Sequence, residues 1–271
     1  MEIKDVTSAA NPLLKLARSL ELKKHRTETG LFLAEGARHA AEGLANGWRP
    51  RALIASPEAF ERPQTRALAQ DAARAGAEVV RAPERLIGQL ARKDNPQSVI
   101  ALFRQHISAL DDLDPHSARL WIALQSVRDP GNLGTVLRTA DAIGAGGVIL
   151  VDGGCDPFSV EAVRASMGSL FAVKLARCSF AELNAWRLAG DAQLIGTSLK
   201  GAVRHDVAPL REPVILLSGN EQSGLPDDMA ASCDALVKLP MAGRADSLNL
   251  AVATAVTAYD IWRRMDFGGA R

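Results

Sequence analysis

The chain has 271 residues, 47% of them apolar, three cysteines and a formal charge of +1. That length favours two domains over one, and the apolar share describes an ordinary soluble protein with ample material for a core. No apolar run approaches the roughly 18 residues a bilayer demands, which excludes a membrane-spanning chain, and Met1 to Asp5 begins no basic-then-apolar signal segment. Cys155, Cys178 and Cys233 are odd in number and never at a Cys-x-x-Cys spacing. They form neither a disulfide frame nor a zinc site and fit a reducing, cytoplasmic setting.

The small net charge hides an asymmetry. Residues 1–107 hold 17 Lys and Arg against 12 Asp and Glu, residues 108–118 hold only Asp111, Asp112 and Asp114, and residues 119–271 hold 15 against 16. A modestly basic first part is compatible with a polyanionic partner, although solvated faces carry the same balance.

Asn11 caps a first helix, Pro12 suits its first position, and Leu13, Leu16, Ala17 and Leu20 make its apolar stripe. Lys15, Lys23, Lys24 and Arg26 lie on or beyond it, as a phosphate-touching edge or as a solvated face. Strands are expected at 31–33, 52–55, 77–80 and 99–103, and helices at 35–46 and 64–75, which makes a small α/β domain over 1–107. The polar stretch 108–118, with its three aspartates and Pro115, reads as a linker.

A second domain then spans 119–271. Its strands are expected at 120–124, 148–151, 171–175, 193–197, 214–218 and 235–239, with helices at 133–143, 159–167, 180–188 and 248–265. Several strands are continuous apolar runs, as in a mostly parallel sheet covered on both faces. Ligands bind such sheets beyond the carboxyl ends of the strands, where this chain places its glycine-bearing turns.

Three stretches carry the chemistry. In the first, Asp129-Pro130-Gly131 turns, Asn132 caps a helix, and Arg138 points away from the buried stripe Leu133, Val136, Leu137 and Ala140, with Gly134 one turn before it leaving room beside the guanidinium. On spacing alone Arg138 is equally a surface arginine of an amphipathic helix. The second stretch is Gly219-Asn220-Glu221-Gln222-Ser223-Gly224, and the third is Leu239-Pro240-Met241 followed by Ser247-Leu248-Asn249. Gly144-Ala145-Gly146 lacks the dinucleotide spacing, no Gly-Lys-Ser or Gly-Lys-Thr forms a phosphate loop, and no His-Glu-x-x-His or comparable metal cluster occurs.

Taken together in this order, the three stretches resemble the signature motifs of the SpoU (TrmH-type) RNA ribose 2′-O-methyltransferases of the SPOUT superfamily. Asn11-Pro12 with Lys15, and Leu31-Phe32-Leu33-Ala34-Glu35-Gly36, resemble that family's ribosomal-protein-like substrate-binding domain. The resemblance implies a mostly parallel α/β sheet with a C-terminal trefoil knot, preceded by the small RNA-binding domain. It implies S-adenosylmethionine as cofactor, met by Gly219, Leu239, Met241 and Leu248 with Thr197 and Leu199 on a neighbouring loop. Arg138 is implied at the reacting centre, with Asn132, Glu221, Ser247 and Asn249 orienting it and the ribose. Because a guanidinium is a poor proton acceptor, Arg138 is expected to grip a phosphate and stabilise the developing alkoxide. Ser247 and Asn249 equally suit a cap on the last helix.

The partners implied are RNA, ribosomal in preference to transfer RNA, and a second copy of the chain through the last helix, with no metal and no membrane. A non-catalytic RNA-binding or ribosome-assembly protein on the same fold is the alternative from another class, and neither the RNA nor the nucleotide is legible.

Overall fold

The computed structural model describes residues 1–91, 97–200 and 202–270. The chain divides into two compact units, one made of Met1–His106 with Asp156–Ala172 and the other of Ile107–Cys155 with Val173–Arg271.

The first unit runs β1 (Lys4–Asp5), α1 (Pro12–Ser19), α2 (Lys23–Thr29), β2 (Leu31–Glu35), α3 (Ala37–Ala45), β3 (Pro50–Ala55), α4 (Pro57–Glu61), α5 (Pro63–Arg74), β4 (Glu78–Arg81), α6 (Glu84–Ala91) and β5 (Val99–Arg104). Its sheet is ordered β1-β4-β3-β5-β2, with β5 antiparallel to both β2 and β3 and the other pairs parallel. Asn11 caps α1 as expected, its Oδ1 accepting from the backbone N–H of Leu13 at 2.9 Å. Helices α2, α4 and α6 were not expected. Helix α2 (KKHRTET) has no apolar residue to mark it, and α4 and α6 are too short for an apolar period to show.

The segment Asp156–Ala172 packs with this unit for reasons written in its side chains. Arg26, only 4% exposed, donates Nε to Asp156 Oδ2 at 2.7 Å and Nη1 to the carbonyls of Leu20 and Glu21. Such a buried guanidinium is tolerable because its donors are matched. Phe171 joins an aromatic cluster, 4.9 Å from Phe103 and 5.2 Å from Trp48 between ring centres. The strand expected at 171–175 is therefore displaced. Phe171 ends a short 3-10 turn, and the strand begins at Leu175.

In the second unit the chain continues through β6 (Leu120–Gln125), α7 (Pro130–Ala142), β7 (Val148–Val151), α8 (Val160–Ala165, which packs with the first unit), β8 (Leu175–Cys178), α9 (Phe180–Ala189), β9 (Gln193–Thr197), β10 (Val203–Arg204), β11 (Val214–Ser218), α10 (Asp227–Ser232), β12 (Ala235–Lys238) and α11 (Leu250–Arg264). All seven strands are parallel, ordered β10-β12-β9-β11-β6-β7-β8. The central strands β6, β7 and β11 are buried along their whole length, which is why they read as unbroken apolar runs.

One face of the sheet is covered by α9 and by the stretch expected as a linker. Leu110 and Leu113 are buried there with Trp121, Leu183 and Trp186. The two indoles donate to backbone carbonyls of the same stretch, Trp121 to Pro115 at 2.9 Å and Trp186 to Leu113 at 2.7 Å. Residues 108–118 are thus packed chain and not a free tether. On α11, which packs against α7 and β11, the buried stripe is Ala251, Thr254, Ala258 and Ile261. No helix among the described residues is long and apolar enough to cross a membrane.

Candidate active site

Strands β12, β9 and β11 are neighbours, so their carboxyl-end loops converge. Together with the start of α11 they enclose a cavity of about 960 Å³. All six residues expected to meet a cofactor line it: Thr197, Leu199, Gly219, Leu239, Met241 and Leu248. Glu221, Ser247 and Asn249 line it as well.

The turn after β11 is shaped by two residues. Asn220 and Gly224 pair backbone to backbone, and the Asn220 Oδ1 accepts from the N–H of Gln222 at 2.8 Å and of Ser223 at 3.1 Å. This folds the turn so tightly that a Cβ at Gly219 would lie 2.3 Å from the backbone of Gly224 and Leu225. Glycine is required there by close approach. Asn220, 7% exposed, also donates Nδ2 to the Ser126 carbonyl at 3.3 Å, tying the turn to the end of β6.

Helix α7 starts three residues earlier than a cap at Asn132 allows. Pro130 takes the first helical position, and Asp129 is the cap, its Oδ1 accepting from the Asn132 N–H at 2.7 Å. The expected cap at Asn132 is corrected accordingly. The correction matters, because it frees the Asn132 side chain for longer-range work.

That side chain donates Nδ2 to Glu221 Oε1 at 3.0 Å, and its Oδ1 accepts from Asn249 Nδ2 at 2.9 Å. Asn249 in turn caps α11, Oδ1 accepting from Ala251 N–H at 2.9 Å. Glu221 also accepts from the backbone N–H of Arg128 and of Asp129, each at 3.1 Å. Three stretches far apart in sequence are thereby joined by one line of side chains. Partial burial pushes the Glu221 carboxyl up, but the hydrogen bonds from Asn132 and the backbone outweigh it and hold it below its ordinary value.

Arg138 stands apart. It is exposed on α7, does not line the cavity, and has no hydrogen-bond or ion-pair partner among the described residues. Gly134, expected to leave room beside it, is buried. Ser247 lines the cavity but does not cap α11, a role that Asn249 takes.

Several contributors were not singled out from sequence. Asn220 organises the turn, and Ser218 and Thr254, both buried, share a hydrogen bond at 2.8 Å beneath the cavity. An Asn beside a glycine was a usable signal for the first; the Ser–Thr pair, 36 residues apart, carries none. Among the described residues no group of His, Cys, Asp or Glu could hold a metal ion.

The lining suits an adenosyl group. Leu199, Met241 and Leu248 are left 60%, 38% and 38% exposed at the cavity, and a flat apolar ring between them would remove that surface from water. Among the described residues, positions 240–248 make no backbone hydrogen bond within the protein, so their N–H and C=O groups are available to read polar edges.

A parallel α/β unit with a cofactor-sized cavity at its strand ends and a Glu–Asn–Asn line at the rim defines a group-transfer enzyme of the open-sheet kind. Residues 119–259 match the SpoU rRNA Methylase family and residues 11–101 the MRM3-like substrate binding domain, and the chain belongs to the SpoU family. It is 43% identical to the AdoMet-bound rRNA methyltransferase from Sinorhizobium meliloti, covering 97% of this chain and 98% of that one with a TM-score of 0.91. It is 30% identical to the 23S rRNA (guanosine(2553)-2′-O)-methyltransferase RlmP of Bacillus subtilis, over 96% of this chain and 99% of the relative. It is 31% identical to the 23S rRNA (uridine(2479)-2′-O)-methyltransferase of Streptomyces viridochromogenes, over 89% and 86% respectively.

Proposed function

We propose that this protein transfers the methyl group of S-adenosylmethionine to a ribose 2′-hydroxyl of ribosomal RNA. The observation that carries the reading is the line Glu221–Asn132–Asn249 at the rim of the cavity, built by three separate stretches of a SpoU chain. Ribosomal RNA is preferred because the full-length relatives are named for it.

Bound in the cavity, S-adenosylmethionine supplies an electrophilic methyl. Leu199, Leu239, Met241 and Leu248 would wall its adenosyl part, with Thr197, Gly219 and the backbone of 240–248 offering polar groups. Asn132 and Asn249, locked by each other, orient the ribose, and Glu221 fixes Asn132 and the entry of α7. Arg138, with no anion of its own among the described residues, takes the phosphate next to the reacting sugar and stabilises the charge that develops on its oxygen. Ser247, which lines the cavity, joins Asn249 in orienting the ribose.

The reading includes the trefoil-knotted passage of the last helix and a homodimer through α11. Its outer face leaves Val252, Val256 and Tyr259 at 47%, 42% and 43% exposure, more apolar surface than an isolated helix face needs. It also places the protein in the cytoplasm, where Cys155, Cys178 and Cys233 stay reduced. Domain roles follow the same line, 1–107 for RNA binding and 119–271 for catalysis.

The test is mapping of ribose 2′-O-methylation in total RNA from cells with and without the protein. One 23S rRNA position losing its methyl, restored by the wild-type protein and not by Arg138→Ala, is the expected result. A lost methyl in transfer RNA would redirect the substrate, and an unchanged methylation map would leave an RNA-binding protein on this fold.

A further inference from the structure

We propose that Arg128 is a phosphate-binding residue for the substrate RNA, held ready at the rim of the site by Gln222. This rests on the reading of the chain as an RNA methyltransferase and adds a contact to it.

Arg128 immediately precedes the cap of α7. Its backbone N–H is given to Glu221 Oε2 at 3.1 Å, and its Nη1 donates to Gln222 Oε1 at 2.7 Å. Gln222 is fixed in turn, its own N–H given to the buried Asn220. The guanidinium is therefore anchored on a rigid turn, although the residue is exposed. Anchoring a long side chain costs rotamer freedom, and here no ion pair offsets that cost.

The contrast with other arginines of this unit is informative. Arg119 faces Glu212, Arg187 faces Asp234, Arg204 faces Asp206, Arg211 faces Asp191 and Arg263 faces Asp260. Among the described residues of this unit the guanidinium groups of Arg128, Arg138, Arg177, Arg244 and Arg264 make no ion pair, and of these Arg128 alone is held by a side-chain amide of the cavity turn. Glu221, the nearest acid by hydrogen bonding, spends its oxygens on two backbone N–H groups and on Asn132. What remains is an uncompensated, pre-positioned fork with four N–H donors free, beside the residues that orient the ribose.

That is the arrangement that takes two oxygens of a phosphodiester, and phosphate contacts fix register without reading sequence. The rise of α7 from its first residue to Arg138 is roughly 12 Å, so Arg128 and Arg138, at the start and in the middle of this helix, address different positions along a strand. A polynucleotide matches that layout; a mononucleotide offers one phosphate to two sites.

The experiment uses the full chain with in vitro transcribed 23S rRNA, and compares wild type with Arg128→Ala, Arg128→Lys and Gln222→Ala. Binding to the transcript is measured across salt concentrations, methyl transfer at varied RNA, and S-adenosylhomocysteine affinity by calorimetry. For Arg128→Ala we expect RNA affinity to fall about tenfold and the salt slope to drop by about one. The loss should fall on KM for RNA more than on kcat, with S-adenosylhomocysteine affinity held. Gln222→Ala should give a smaller loss of the same kind, and Arg128→Lys should recover the slope but not the full affinity. An unchanged slope in Arg128→Ala overturns the proposal, as does loss of S-adenosylhomocysteine affinity, which would make Arg128 a structural latch for the turn. Wild type failing to bind S-adenosylhomocysteine removes the methyltransferase reading, and the proposal with it.

Discussion

Asn249 Nδ2 donates to Asn132 Oδ1 at 2.9 Å across 117 residues of sequence. The direction of both amides follows from what lies at either end. Glu221, a carboxylate, can only accept, so Asn132 must turn its NH₂ toward it and its oxygen toward Asn249. At the other end the free N–H groups of α11 need an acceptor, so Asn249 turns its oxygen to the helix and its NH₂ to Asn132. A carboxylate and a helix terminus thus polarise the line between them.

Asn249→Asp separates capping from this polarity. Aspartate caps a helix about as well as asparagine, so stability should change by less than about 0.5 kcal/mol. It can no longer donate to Asn132, whose oxygen would face another oxygen. Methyl transfer should fall at least about tenfold while the melting temperature stays near wild type. If activity stays at the wild-type level, the amide line has no part in orienting the ribose.

Glu221→Gln tests the carboxylate through pH. The Glu221 carboxyl sits below its ordinary value of 4.5, burial raising it and the hydrogen bonds from Asn132 and the backbone lowering it further. The folded value is the lower one, so its contribution is complete above about pH 4.5 and is lost as pH falls through the folded value. Discounted for exposure, the substitution should cost about 1 kcal/mol at neutral pH. Urea denaturation at stepped pH should show the two proteins converging in acid. A gap that stays constant to low pH would assign the effect to something other than ionisation.

Gly219→Ala puts a methyl 2.3 Å from the Gly224 and Leu225 backbone, where nothing flexible can yield. The expected loss is roughly 1–3 kcal/mol, with weaker S-adenosylhomocysteine binding. Gly243→Ala is the control on the neighbouring loop, since its Cβ would meet nothing within 4 Å. Equal effects from the two substitutions, in chemical denaturation and calorimetry, would mean that the turn is looser than its hydrogen bonds imply.

These residues also mark what could be read from sequence and what could not. Turn positions were legible because local chemistry spells them: Gly219, Asn249 and the residues around the cavity sit where glycine, asparagine or proline breaks an apolar run. The cap of α7 was misplaced because Asp129 and Asn132 are both cap formers, and Pro130 decides for Asp129. The packing of 108–118 was hidden because two leucines, Leu110 and Leu113, are outnumbered by polar letters, while the two indoles that secure them lie at Trp121 and Trp186. Phe171 read as part of a strand because an apolar run does not say whether it faces a sheet or an aromatic cluster. Arrangements such as Ser218 with Thr254 depend on tertiary contact and have no local signature.

The outer face of α11 makes the dimer testable. Val252, Val256 and Tyr259 recur at helical spacing and are each more than two-fifths exposed. Val252→Lys with Val256→Lys should convert a dimer to a monomer in sedimentation at micromolar concentration, leaving the buried stripe of Ala251, Thr254 and Ala258 intact. Wild type sedimenting as a monomer would remove the interface from the proposed function.

Arg138→Ala bears most directly on the chemistry. The side chain lines no part of the cavity and binds no group among the described residues, so its removal leaves the cofactor walls untouched. S-adenosylhomocysteine affinity should stay within a few-fold of wild type. Methyl transfer should fall by about 10²–10³, the usual cost of removing a donor aimed at developing negative charge. Arg138→Lys should restore little, since a point charge does not replace a planar fork against phosphate and alkoxide together. Calorimetry and radiolabel transfer on the same preparations decide it: matched losses in binding and turnover would place Arg138 in the fold of the site and not in the reaction.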